Sequence, residues 1–123
     1  MSGERRRAIE ARVAAAAARL EKEGHPYDFI ILDPPAFTKA RRTVDNAMRG
    51  YKEINYRAMK LLPRGGYLAT ASCSHFATEE LFIKMLRAAA KDAHRQLRQI
   101  ESFVLLELHI SKDFTNQRFS RQI

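Results

Sequence analysis

Two short clusters, each following an apolar run, carry the residues best suited to chemistry: Asp33-Pro34-Pro35-Ala36-Phe37 and Ser72-Cys73-Ser74-His75. Asp33 offers a carboxylate. The prolines behind it fix φ and lack an N–H, so the carboxylate stands on stiff backbone and the proline carbonyls are open to donors. Phe37 offers a ring on which a base stacks. Asp-Pro alone is a common turn former, but Asp-Pro-Pro-x-Phe after a buried strand points to function. Cys73 is the only cysteine. A thiolate is suited to adding to an electron-poor pyrimidine ring, and a helix N-terminus nearby favours the thiolate. A lone cysteine is more often a small buried hydrophobe, yet Cys73 sits at a strand end among polar residues. His75 reads either as a base or substrate contact or as a surface histidine at a helix entrance. His25, His94 and His109 have no metal-ligand spacing, and no metal site is expected.

A third feature is basic. Lys39, Arg41, Arg42, Arg49, Lys52, Arg57 and Lys60 are interleaved with Tyr51 and Tyr56. Cations mixed with aromatics suit an RNA backbone and splayed bases, and they equally suit a solvated outer helix face. Residues 38 to 43 read as a loop covering the site.

The elements that must position these groups alternate. Residues 4 to 23 are rich in Ala, Arg, Glu and Leu, strong helix formers, with Ile9, Val13 and Leu20 as a thin apolar stripe. Gly24 is placed as a C-terminal cap, and His25-Pro26 stops the helix. Tyr27 to Leu32 is apolar without alternation, which predicts a strand buried on both faces of a parallel sheet. It ends at Pro34-Pro35, which cannot donate to a ladder. A helix is expected over 44 to 62, a turn at Pro63-Arg64-Gly65-Gly66, and a strand from Tyr67 to Ala71. A third helix opens behind Thr78 as N-cap. A further strand lies within 97 to 108. Helix, strand, helix, strand, helix, strand predicts an α/β fold with a mostly parallel sheet. Ligands of such sheets bind beyond the carboxyl ends of the strands, where both polar clusters lie.

Bulk properties bound the function. The chain has 123 residues, a net charge of +8 and 46% apolar residues. That is core enough for one modest domain, and the positive balance suits a polyanionic partner. One cysteine excludes an internal disulfide framework and fits a reducing compartment. No apolar run can span a bilayer, and Met1 to Arg7 has no apolar region of a signal peptide, so a cytoplasmic location is expected.

The runs Tyr27-Asp28-Phe29-Ile30-Ile31-Leu32-Asp33-Pro34-Pro35-Ala36-Phe37, Arg49-Gly50-Tyr51-Lys52-Glu53-Ile54-Asn55, Gly65-Gly66 and Ser72-Cys73-Ser74-His75 together resemble class I S-adenosylmethionine-dependent methyltransferases that make 5-methylcytosine in large-subunit (23S) ribosomal RNA. The resemblance runs from about Tyr27 to about Ile100. It implies a partial Rossmann-like sheet, with residues 1–110 the C-terminal half of a catalytic domain and 111–123 a polar tail. It implies Cys73 as nucleophile and Asp33 as its catalytic partner. S-adenosyl-L-methionine would lie against Asp33, Pro34 and Pro35, with Phe37, Lys39, Arg49, Lys52, Ser74 and His75 on the RNA. Two departures stand out. No glycine-rich cofactor loop or RNA-binding domain precedes Tyr27, and the segment after Glu101 lacks the family's His-Pro and last strand. The expectation is therefore half a domain whose open sheet edge favours self-association, as a homodimer or otherwise. Two other readings stay open: a methyltransferase of the same fold acting on a base amino group, and an inactive RNA-binding remnant.

Overall fold

A computed structural model describes residues 3–24, 27–37, 40–72, 76–104 and 119–121. Helix α1 (Gly3–Glu23) is followed by strand β1 (Phe29–Leu32), a 3-10 turn (Arg41–Thr43) and helix α2 (Val44–Leu61). Strand β2 (Tyr67–Thr70) and helix α3 (Glu79–Asp92) come next, then strands β3 (Ser102–Val104) and β4 (Phe119–Arg121).

The helix ends follow local chemistry. Gly24 closes α1 at φ +68°, with its N–H donating to the carbonyls of Leu20 and Glu21 at 3.3 Å. That left-handed conformation costs glycine nothing. Thr78 caps α3, its side chain accepting from the Leu81 N–H at 3.3 Å, and Glu79 and Glu80 complement the dipole. At the other end His94 takes φ 54°. Its N–H donates to the Lys91 carbonyl and that of Arg95 to the Ala90 carbonyl, the paired bonds of a Schellman ending. His94, which the sequence shows no reason to read as a metal ligand, is thus an exposed residue in the position usually held by glycine. The Arg95 side chain then donates from Nε to the Met59 carbonyl at 3.2 Å, meeting a carbonyl that the end of α2 leaves without a helical partner.

β1 and β2 pair in parallel, Phe29 with Tyr67 through Leu32 with Thr70, and α2 carries the chain between them. Leu32 packs on the cluster of Phe37, Ala47, Tyr51, Ile54 and Met85, which Ile9 and Val13 of α1 also join. Leu68 packs on Met59, Ala89, Ala90 and Ala93. Alternate residues point the other way: Phe29 is 54% exposed, Ile31 68% and Tyr67 55%. This corrects the expectation of a strand buried on both faces. Among the described residues, the helices cover one face only, so half of an apolar run meets solvent.

The expected third strand exists as β3, but it does not join this sheet. It pairs antiparallel with β4, Ser102 opposite Arg121, and β4 falls within the segment expected to be a polar tail. Among the described residues the parallel sheet has two strands, each with one side unpaired.

Candidate functional site

The parallel register brings Asp33 and Ser72, which open the two clusters, to one end of the sheet. Leu32 lies opposite Thr70, and the Ala71 N–H donates to the Leu32 carbonyl at 2.9 Å, one residue past the ladder. Asp33 and Ser72 therefore leave the sheet from neighbouring strand ends, which in a sheet are ~4.8 Å apart. Asp33 is exposed there, with Pro34 half-buried and Pro35 exposed. Cys73, Ser74 and His75, which follow Ser72, lie outside the described residues, as does Lys39.

The loop after β1 is anchored from below. Phe37 is 3% exposed and Tyr51 0%, their ring centroids 4.5 Å apart and tilted 37°. The Phe37 N–H donates to the Tyr51 hydroxyl at 3.2 Å, and the Tyr51 ring meets Phe82 of α3 edge-on at 5.9 Å. Phe37 is thus not a stacking platform for a base: both its ring and its backbone are spent in the core. Tyr51 is likewise no RNA contact, since its phenol fixes the far end of the Asp33-Pro34-Pro35 exit. Tyr51 has two readings in sequence, an aromatic among cations and a member of the apolar face of the 44–62 helix with Ala47 and Ile54; burial of all three decides for the second.

Gly50 permits the anchoring. A Cβ there would lie 3.2 Å from Phe37 Cδ2, 3.3 Å from Arg6 Cδ and 2.6 Å from Glu10 Oε1. The glutamate can swing aside, but the ring and the α1 stem are packed. Arg6 itself bridges Glu10 at 2.8 Å and donates to the Asn46 carbonyl at 3.2 Å, seating α1 on α2. Gly50→Val is expected to destabilise the chain by about 1–3 kcal/mol through overpacking, despite the better helix former. Hydrogen exchange should show the α1 amides opening first. A melting midpoint at or above the parent's would refute the close approach.

Two buried side-chain atoms have no hydrogen-bond partner among the described residues, Asn55 Oδ1 and Thr70 Oγ1. The Asn55 amide donates to the Tyr51 carbonyl at 2.7 Å. Thr70 stands two residues before Ser72, so an unsatisfied hydroxyl lies directly behind the second strand end.

Arg49 and Lys52 take a different place. They lie on the outer side of α2 and line a shallow groove with Glu53, Tyr56 and Asp92. A neighbouring groove joins Arg49 and Glu53 to Arg6, Arg7 and Glu10 of α1. Neither groove includes Asp33 or the prolines. Lys52 Nζ lies 2.7 Å from Asp92 Oδ2, and this hydrogen bond and charge hold the Asp92 carboxyl below its ordinary value. A lowered folded pKa means that the pair contributes above the unfolded pKa and fades as pH falls through the folded one. Both partners are solvated, so the contribution is small. Arg57 and Lys60 stand 6.0 and 5.8 Å from the Tyr56 ring centre.

The parallel β1-α2-β2 unit defines an α/β protein in which Asp33 and Ser72 follow adjacent strand ends, the position at which such sheets take ligands. The comparisons with known proteins narrow this. The chain is 47% identical over 85 residues to ribosomal RNA large subunit methyltransferase I of Erwinia tasmaniensis, covering 69% of this chain and 22% of that protein. It is 45% identical over 92 residues to the protein of the same name from Shewanella frigidimarina, covering 75% and 23%. For that of Vibrio campbellii the identity is 43% over 81 residues, covering 66% and 20%. No family model matches the chain. The chain resembles a methyltransferase and spans about a fifth of the length of the curated relatives it matches. Among the described residues no helix is long and apolar enough to cross a membrane.

Proposed function

We propose that this chain is the substrate-side part of a Rossmann-like, S-adenosyl-L-methionine-dependent methyltransferase, acting on C5 of a cytosine in large-subunit ribosomal RNA. The observation that carries the reading is the parallel register. It sets Asp33 beside the segment leading into Cys73, and covalent catalysis on a pyrimidine needs a thiolate and a proton-sharing group on one ring. Similarity to proteins named as ribosomal RNA methyltransferases supports the reaction class and the substrate.

In this mechanism the Cys73 thiolate adds to C6 of cytosine, forming a C–S bond and moving electron density to C5. Asp33 contacts the cytosine edge and shares a proton with N3 as charge builds there. When bound, the methyl donor would supply an electrophilic methyl group to C5, its S–CH3 bond breaking as the sulfonium leaves as a neutral thioether. A base then removes the C5 proton, the C–S bond breaks, and the thiolate leaves the aromatic product. Ser74, His75 and Lys39 remain proposed contacts to the RNA.

The residues present fit one side of a donor site. Asp33, Pro34 and Pro35 supply an exposed carboxylate and carbonyls without competing N–H groups. All five glycines have other places: Gly24 ends a helix, Gly50 admits Phe37, Gly65 and Gly66 make the turn before β2, and Gly3 begins α1. None is left for a donor-cradling loop.

The test is a chimera in which this chain replaces the matched segment of the Erwinia tasmaniensis relative. Methylated RNA is digested and the modified nucleoside mapped by mass. A methyl group on cytosine C5 is expected. A methyl group on an exocyclic amine would replace this reading with amino-group methylation, and no methyl group in RNA would end it.

A further inference from the structure

The outer face of α2 holds a second arrangement that the strand-end chemistry does not use. Arg49, Lys52, Tyr56 and Lys60 follow one another at intervals of three and four residues, so they form one stripe along the helix. At 1.5 Å per residue the stripe is about 16 Å long, enough for a few nucleotides. Arg49 and Lys60 are exposed, Lys52 and Arg57 are 40% and 43% exposed, and Arg49, Lys52 and Tyr56 share one groove with Glu53 and Asp92. Glu53 and Asp92 are each occupied, by Arg57 at 2.9 Å and Lys52 at 2.7 Å, which leaves the stripe with net positive charge.

We infer that this stripe is a docking strip for single-stranded RNA, with Tyr56 as the stacking platform, Arg49 and Lys60 on phosphates, and Lys52 a third phosphate contact when it leaves Asp92. The chemistry is that of sequence-tolerant strand binding, in which cations track the backbone and a π-face receives a base. Arg57 and Lys60 lie over the Tyr56 ring, 6.0 and 5.8 Å from its centre, so the ring already receives cations and a stacking base displaces one of them. Asp92 restrains the strip, because it holds Lys52 away from a phosphate. An acidic polypeptide would meet the charges but has no use for the platform, so RNA is the favoured occupant.

The inference rests on RNA as the proposed substrate class, but it concerns a surface separate from Asp33 and is read without methyl donor. A short fluorescent single-stranded RNA is titrated with the chain by anisotropy at about 50 and 200 mM salt, with circular dichroism confirming the fold of each variant. Arg49→Glu with Lys60→Glu is expected to weaken binding at least tenfold and to reduce the salt slope by about 0.7 per lost phosphate contact. Tyr56→Ala should weaken it about 5- to 100-fold, with Tyr56→Phe near the parent. Asp92→Asn, which frees Lys52, should tighten it about threefold.

Arg12→Glu with Arg98→Glu makes the same change in charge elsewhere. If it weakens binding as much, net charge alone is responsible and the strip is overturned. Absence of binding by the parent chain, or equal binding to polyglutamate, also overturns it. RNA binding along α2 in a chimera that never methylates leaves the strip standing and the methyl-transfer reading fallen. Methylation by a chimera whose RNA affinity ignores all these variants does the reverse.

Discussion

Replacing Tyr51 with alanine is expected to remove about 3–5 kcal/mol of stability, a large part of the ~5–15 kcal/mol that holds a domain folded. The ring is fully buried and touches three elements at once. It stacks on Phe37 at the exit of β1, meets Phe82 of α3 edge-on, and grows from α2. Its loss leaves a cavity among packed rings that cannot collapse without moving a helix. Tyr51→Phe isolates the polar part. It keeps the ring but leaves the buried Phe37 N–H without an acceptor, a cost of about 1–3 kcal/mol. Urea titration measures both changes, and amide exchange at Phe37 locates the second. Unchanged stability in Tyr51→Ala would show that this core is not the one that folds. A Phe37 amide as protected in Tyr51→Phe as in the parent would show that the bond to Tyr51 does not hold the loop.

The largest expected effect on activity is at Cys73. In the chimera described above, Cys73→Ala should lower methyl transfer by on the order of 10³-fold or more, as removal of a covalent nucleophile does elsewhere. Without the thiolate, C5 of cytosine is a poor nucleophile, and Asp33 has no developing charge to answer. The parent should also trap RNA carrying 5-fluorocytosine as a covalent adduct. Fluorine at C5 blocks the proton removal that releases the enzyme, so the C–S bond persists. Full methylation by Cys73→Ala would sink the covalent mechanism while leaving the fold untouched.

Much of the chain was legible because its signals are local. Gly24 after a helix, Thr78 before one and two prolines after an apolar run each act within a few residues. Backbone sterics and unsatisfied end groups decide those positions without tertiary help. The parallel pairing followed from order alone, since a strand, a helix and a strand in succession fold back in the same direction. That was enough to predict that Asp33 and the Ser72-Cys73 segment lie at the same end of the sheet.

Other features depended on partners distant in sequence. Phe37 and Tyr51 each carry an aromatic ring that could serve a base or a core. Only the seating of α1 and α3 around α2 buries them, and Gly50 allows the approach. Arg49 and Lys52 belong to the same motif as Tyr51, yet helical rotation turns them outward, away from Asp33. β3 has the composition of another sheet strand but finds β4 instead, a pairing between segments no local rule connects.

The sequence by itself therefore determined that Asp33 and Ser72, which open two chemically capable clusters, follow neighbouring parallel strands, because chain stiffness and connectivity are local properties. Only the tertiary structure decided which aromatics hold that site from behind, which cations lie outside it, and that Phe29, Ile31 and Tyr67 face solvent. Burial is a property of what packs against a residue, and an apolar run contains no record of which of its faces will be covered.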